Sequence, residues 1–267
     1  WLYSFVNDDM DADIFIPVTL GSKRFHHKHL REINGKPLLK YLVERLQSCK
    51  KIRNIVVCTT NSKMDDLLVS FLRKEDILVF RGSEVDILRR FLDAAKYFGT
   101  EIIIDVEGDK IYTDPKYVDL IVNSLQNSNV DFITGNDSPE KFNPTFWFHG
   151  FVPAGFKVNA LAKICGLKKT DNTETGYKEF FTSNDIIKCK FLLPETNIII
   201  SEKNRFTLDY PEDYELYKKI FQELGNNFGV EQVINLIKSK PELQKIIEPA
   251  IEKWEKSYKK DLTDFAL

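Results

Sequence analysis

The sequence predicts an α/β fold, a mostly parallel sheet with helices on both faces. Three observations carry that prediction. Strand-like and helix-like runs alternate through the first 134 residues. The strand-like runs are nearly all apolar, as in parallel strands buried on both faces. Repeated βα units of this kind imply a three-layer sandwich with right-handed crossovers.

In chain order, Ile14-Phe15-Ile16-Pro17-Val18 is the first strand and ends at a turn at Gly21. Pro37 opens a helix with Leu38, Leu42 and Leu46 on one stripe, since Pro suits a first helical position. Strands follow at Ile55–Cys58, Ile77–Phe80, Ile102–Ile104 and Asp131–Thr134, with helices at Asp65–Arg73, Glu84–Phe98 and Pro115–Leu125 between them. Near Gly135 the rhythm changes. Pro, Gly, Asn and the aromatics Phe142, Phe146, Trp147, Phe148 and Phe151 suggest a loop with short, partly antiparallel strands. A helix near Lys157–Cys165, a polar stretch from Lys168 to Gly176, and strand-like pieces at Phe191–Leu193, Ile198–Ile200 and Phe206–Leu208 come next. From Pro211 the chain is helical: Tyr214, Tyr217, Ile220, Phe221 and Leu224 form a stripe stopped at Gly225, then Val230–Lys238 and Pro241–Lys256. No long linker divides the chain. The expectation is one domain over 1–267, with an inserted acceptor and dimerisation subregion at 135–205 and C-terminal helices at 211–267.

The 267 residues suffice for a full core. With 38 basic against 40 acidic residues, the net charge supports neither a nucleic-acid coat nor a membrane surface. No apolar run reaches the roughly 20 residues of a membrane span. Residues 1–9 lack a basic region and a long apolar core, so they make a poor signal peptide. Cys49, Cys58, Cys165 and Cys189 have no CxxC spacing, which suits reduced thiols and a cytoplasmic location.

Four constellations bear on chemistry. Gly21-Ser22-Lys23-Arg24 with Lys28 is a basic, glycine-containing turn: backbone N–H groups and cations there suit phosphate oxygens, and a solvated loop is the plain alternative. It is neither a Walker A loop nor a G-x-G-x-x-G turn. His26, His27 and His29 cluster too tightly in sequence to face one ion and suit a solvated or substrate-facing loop. Arg81-Gly82-Ser83 follows the third strand, where open α/β sheets bind nucleotides; alternatively Ser83 caps the next helix. Asp109 and Asp209 each close an apolar run, and each could equally cap a helix, Asp209 with Glu212 as the capping-box partner. Together, the basic turn and the two carboxylates point to a magnesium–triphosphate site, and hence a nucleotidyltransferase.

Taken in order, these segments resemble the cytidylyltransferase family, including the 3-deoxy-manno-octulosonate and acylneuraminate enzymes. The resemblance is nearest to the branch typified by spore-coat polysaccharide biosynthesis proteins. It rests on Ile16–Arg24, Lys28-His29-Leu30, Asn34-Gly35-Lys36-Pro37-Leu38, Val79–Ser83, Glu107-Gly108-Asp109 and Thr207–Asp213, spread over about residues 14–240. It implies a Rossmann-like, GT-A-like fold and magnesium-dependent transfer of CMP from CTP to a sugar acid or related glycan precursor, releasing pyrophosphate. It further implies that Asp109 and Asp209 hold the metal and that Lys28 and Arg24 contact phosphate as catalytic groups. Val18, Leu20, Gly21, Ser22, Lys23, Arg81, Gly82 and Ser83 would line the nucleotide pocket. Phe151–Phe156 resembles the family's dimerisation and acceptor-side segment, and members are usually homodimers. On this reading Asp209→Ala abolishes pyrophosphate release and leaves the fold intact.

The chain departs from the family pattern at three places. Thr19 stands where the family has an arginine, Phe25-His26-His27-Lys28 replaces Leu-Pro-Gly-Lys, and Asn172–Gly176 matches only loosely an Arg-Glu-His-Val-Thr segment. These changes fall on phosphate and acceptor contacts and imply an unusual acceptor or a weakened enzyme. The rival readings are a UTP- or dTTP-using sugar-phosphate nucleotidyltransferase and a catalytically silent nucleotide-binding member of a glycan pathway.

Overall fold

The computed structural model describes residues 11–22, 24–135, 150–192 and 205–261. Lys23, the aromatics Phe142, Phe146, Trp147 and Phe148, Leu193 and the strand expected at Ile198–Ile200 lie outside the described residues.

A seven-stranded sheet organises the chain: β1 (Ala12–Pro17), β4 (Asn54–Thr60), β5 (Leu78–Gly82), β6 (Ile102–Asp105), β7 (Phe132–Thr134), β8 (Ala154–Lys157) and β9 (Cys189–Phe191). Their order is β5-β4-β1-β6-β8-β7-β9. The pairs β1–β4, β1–β6, β4–β5 and β7–β9 are parallel. Strand β8 runs antiparallel to both β6 and β7. The antiparallel strand expected after Gly135 therefore lies inside the main sheet. Gly155 permits this: a Cβ there would sit 2.3 Å from Ile121 Cγ2 and 2.8 Å from Ile104 Cδ1. Phe151, Ala154 and Phe156 are fully buried within this chain.

Strand pleating sends neighbours to opposite faces. Ile14 and Ile16 enter one apolar cluster, with Leu38, Leu42, Val118, Leu216, Ile220 and Val233. Phe15 enters the other, with Leu88, Phe91, Leu161 and Phe180. Helices α1 (Leu38–Leu46), α2 (Asp66–Lys74), α4 (Pro115–Gln126), α7 (Pro211–Leu224), α8 (Val230–Ser239) and α9 (Glu242–Asp261) serve the first face. Helices α3 (Ile87–Phe98), α5 (Val158–Leu167) and α6 (Glu179–Thr182) serve the second.

Three local expectations change. Phe206–Leu208 is not a strand: its apolar residues are buried, but it bonds as a loop, with the Leu208 N–H donating to the Asp109 carbonyl at 2.9 Å. Helix α3 begins at Ile87 because Asp86, not Ser83, is its N-cap, accepting from the Arg89 N–H at 3.0 Å. Pro37 precedes α1 and pairs with Glu32 in a small antiparallel ribbon, β2 (Glu32–Ile33) with β3 (Lys36–Pro37). Asn34 and Gly35 turn that ribbon with φ of 52° and 74°, the conformation an Asn-Gly hairpin turn requires.

Candidate active site

From β1 the chain crosses to β4 on one side, whereas β6 lies on the other. Open α/β sheets bind ligands at such a reversal, outside the carboxyl ends of the strands. The loop after β1 carries Arg24 and Lys28, and the loop after β6 carries Asp109. The loop entering α7 brings Asp209 to the same place.

Lys28 joins the two aspartates. Its Nζ lies 2.9 Å from Asp209 Oδ1 and 3.5 Å from Asp109 Oδ2. Arg24 donates to the same Asp209 Oδ1 at 3.0 Å, and Arg205 pairs with Asp209 Oδ2 and with Asp213. Asp213 Oδ2 also accepts the backbone N–H groups of Asp209 (2.7 Å) and Tyr210 (2.8 Å). Tyr210 is thus the N-cap of α7 and Asp213 the reciprocal acid, replacing the expected pair of Asp209 and Glu212. Glu212 turns outward to Lys253 at 2.6 Å. Burial penalises the Asp209 charge, but Lys28, Arg205 and Arg24 outweigh it and hold the carboxyl below its usual range. Asp109 shifts upward, since burial there outweighs the Lys28 charge and Asp209 adds repulsion. Burial also opposes the Lys28 ammonium, yet the two carboxylates raise its pKa.

Oxygen donors suit a divalent hard cation, and magnesium typically takes one or two protein carboxylates plus phosphates and water. Asp109 Oδ1 is buried without a hydrogen-bond partner among the described residues. The residues present therefore fit such an ion, although no cluster of three or more acidic, His or Cys ligands occurs among the described residues.

Beside this centre lies a second charged cluster. Lys110 pairs with Glu107 at 2.9 Å, and Lys178 pairs with Glu107 at 3.0 Å and Asp105 at 3.3 Å. The Tyr177 hydroxyl donates to Asp105 Oδ2 at 2.8 Å. Burial opposes the Glu107 charge, but Lys110 and Lys178 hold it well below the usual range.

The first loop is fastened from below by Asp65. Its Oδ1 accepts from the Leu20 N–H (2.7 Å) and Thr19 Oγ1 (3.2 Å), and its Oδ2 from the hydroxyls of Thr59 (3.0 Å) and Thr60 (2.5 Å). Val18 and Leu20 are buried in the core, Gly21 is exposed and Ser22 half-buried. Arg81 turns to the Thr60 and Ser62 carbonyls and to Asp66, at 2.8, 2.7 and 2.7 Å. Gly82 lies beneath Arg90, and Ser83 Oγ accepts from the Asp86 N–H. Arg81, Gly82 and Ser83 thus stand at the end of β5, two strands from β1, apart from the Lys28 centre.

Residues 14–240 match the family model described as cytidylyltransferase. The chain belongs to the cytidylyltransferase family. A solved cytidylyltransferase from Leptospira borgpetersenii shares 30% identity with it at a TM-score of 0.75, over 88% of this chain and 96% of that one. The spore coat polysaccharide biosynthesis protein SpsF of Bacillus subtilis is 27% identical over 241 residues, 87% of this chain and 96% of its own length. A CMP:2-keto-3-deoxy-manno-octonic acid synthetase solved with CTP shares the fold, with 15% identity and a TM-score of 0.56, over 80% of this chain and all of that one. This cytidylyltransferase is accordingly a nucleotidyltransferase by family, and its fold is that of the family's solved structures.

Its departures from the family pattern now have structural positions. Thr19 is engaged with Asp65 and accepts from the Gly21 N–H at 3.2 Å. His27, where the family has glycine, adopts φ 51° and ψ 30°, a left-handed conformation that a side chain disfavours. In the Asn172–Gly176 segment Thr173 is buried, donating to Asp86 Oδ1 at 3.0 Å.

The structure places further residues around this centre in ways the sequence did not indicate. His29, expected with His26 and His27 on a solvated or substrate-facing loop, is instead buried, its Nδ1 lying 3.1 Å from the Gly108 carbonyl of the Asp109 turn. Asp65, Tyr177 and Lys178 had no local signal. Arg205 and Asp213 had one: Arg205, Asp209 and Asp213 recur every four residues, one cation followed by two acids.

Proposed function

We propose that this protein transfers CMP from CTP to a sugar acid or related glycan precursor and releases pyrophosphate. The observation that carries the reading is the convergence of Lys28, Arg24, Asp109 and Asp209 at the sheet's reversal point. Asp109 and Asp209 would hold a magnesium ion. That ion would neutralise phosphate charge and favour departure of pyrophosphate. Lys28 and Arg24 would face the triphosphate and stabilise charge growing there in the transition state. Gly21, Ser22 and Lys23 would border the phosphates, with Val18 and Leu20 as the floor and Arg81, Gly82 and Ser83 on the nucleoside side. The acceptor oxygen would attack the α-phosphorus in line, with positioning as the main source of rate. The acceptor class is supported by the kinship with a polysaccharide biosynthesis protein. A cytoplasmic homodimer completes the proposal, and light scattering on purified protein measures its mass.

The test is pyrophosphate release with CTP, UTP or dTTP, magnesium and a panel of sugar acids and phosphorylated acceptors. CTP alone should support turnover; preference for UTP or dTTP would reject the reading. Asp209→Ala is a poor probe after all. It would strand Arg205, Lys28 and Arg24, and breaking a buried pair costs about 3–5 kcal/mol. Asp109→Asn removes one metal-facing charge from a side chain 24% exposed. It should lower kcat by about a hundredfold or more with an unfolding midpoint close to wild type.

One observation favours the silent alternative. The Leu20 and Gly21 amides, which a phosphate-binding loop would offer, are committed to Asp65 and Thr19. CTP binding by calorimetry with no turnover on any acceptor would select it.

A further inference from the structure

We infer that Lys28 is a tethered stand-in for the metal, so that the divalent cation enters with the nucleotide and not before it. The inference rests on the reading of Asp109 and Asp209 as metal-holding groups, and it concerns what this chain's own lysine does there.

The Lys28 ammonium occupies the point between the two carboxylates, 2.9 Å from one and 3.5 Å from the other. Its side chain is 8% exposed, so it is a built part of the centre and not a surface residue that wandered in. Among the described residues the charges at the centre already balance. Arg24, Lys28 and Arg205 face Asp109, Asp209 and Asp213. A lone dication placed between Asp109 and Asp209 would meet an ammonium held in the same place. Like charges at such spacing repel strongly where water is sparse. The ammonium cannot leave toward other acids at no cost: among the described residues the neighbouring Glu107 and Asp105 are already paired with Lys110 and Lys178.

A nucleotide triphosphate changes this balance. Its phosphates bring new acceptors for the ammonium at the moment the cation arrives, and a lysine stem is long and flexible enough to turn between partners. Arg24, whose side chain is 43% exposed, shares Asp209 Oδ1 and can turn the same way. Asp209 then keeps its Arg205 anchor through Oδ2, so the carboxylate stays in place while Oδ1 changes partner. The exchange makes Lys28 both the counter-ion of the resting centre and a phosphate contact of the loaded one. It also makes metal and nucleotide binding positively coupled, each supplying what the other displaces.

The experiment is manganese binding without nucleotide, followed by electron paramagnetic resonance, for the wild-type chain, Lys28→Met and Lys28→Arg. Thermal shift with manganese, with CTP and with both accompanies it. Wild type and Lys28→Arg should bind manganese alone only weakly and gain their thermal shift with manganese and CTP together. Lys28→Met should bind one manganese ion alone at least about tenfold more tightly, a coupling of ordinary allosteric size. If Lys28→Met binds manganese no better than wild type while wild type still responds to manganese with CTP, the stand-in role is overturned and the metal reading survives. If no protein responds to manganese under any condition, both fall. Should Lys28→Met fail to fold, wild type decides alone: stoichiometric manganese binding of equal strength with and without nucleotide overturns the inference.

Discussion

His29 shows how one buried side chain sets the geometry of another. Its ring lies against Gly108, where a Cβ would sit 3.0 Å from the ring and 2.6 Å from Val18 Cγ2, so only glycine fits the turn that aims Asp109. Burial, with the Lys28 charge adding to it, pushes the His29 pKa down to about 3; Gly108, Asp209 and Asp65 oppose the shift without overcoming it. The folded chain therefore keeps the ring neutral, whereas the unfolded chain protonates it below about 6.5. Stability is full above that pH and falls as the pH drops toward 3. Between pH 6.5 and 4.5 the loss should be about 2.5 kcal/mol, measured by urea unfolding, and His29→Asn should flatten it. Asp209 and Glu107 titrate below the usual carboxylate range and add their losses at still lower pH. His27 makes a second residue-scale prediction. Its left-handed φ of 51° costs about 1–2 kcal/mol relative to an unstrained conformation. His27→Gly should raise the melting temperature by a few degrees, with an unchanged temperature marking the conformation as cheap.

At the scale of elements, one arginine of α1 ties the α7–α8 corner to the loop after Asp109. Arg45, 5% exposed, donates to the Thr113 carbonyl at 2.8 Å, the Asn226 carbonyl at 2.5 Å and the Phe228 carbonyl, and it stacks over the Phe228 ring at 3.9 Å. Thr113 lies in the loop after Asp109; Asn226 and Phe228 lie between α7 and α8. Arg45→Met keeps much of the volume but leaves three carbonyls without their donor, which should cost about 3 kcal/mol; calorimetry or urea unfolding reads it. The local periodicities marked α1, α7 and α8 in the sequence, yet nothing in them joined α1 to the α7–α8 corner. Similarly, Phe206–Leu208 carries the composition of a strand because it is buried, and composition alone does not distinguish a buried loop from a strand.

Over the whole molecule, one apolar cluster runs from Ile14 and Ile16 through Leu42 and Val118 to Leu216, Ile220, Val233 and Ile247. The sheet and the C-terminal helices share that core and should unfold together. Scanning calorimetry should give a single transition, and two resolved transitions would show the C-terminal helices to be a separate unit. Ligand should act on this same transition: CTP with magnesium at about a hundred times its dissociation constant adds about 2.7 kcal/mol, a rise in midpoint that neither component alone should match.

The sequence by itself determined the α/β class, the strands β1 and β6 that lead into the site, and the family, through apolar periodicity and motifs in order along the chain; the segment leading to Asp209, expected as a strand, is a loop. It also singled out Lys28, Arg24, Asp109 and Asp209, which lie on loops after β1 and β6 and before α7. Only the tertiary structure decided that these four meet, with Lys28 between the aspartates, and that Arg205, Asp213 and His29 hold them there. The reason is distance along the chain: Lys28 and Asp209 are 181 residues apart, and their contact is made by packing loops from β1, β6 and α7 at one sheet edge. Local pattern carries no record of such a meeting. The strand order does, because it brings those loops to the point where the crossovers part.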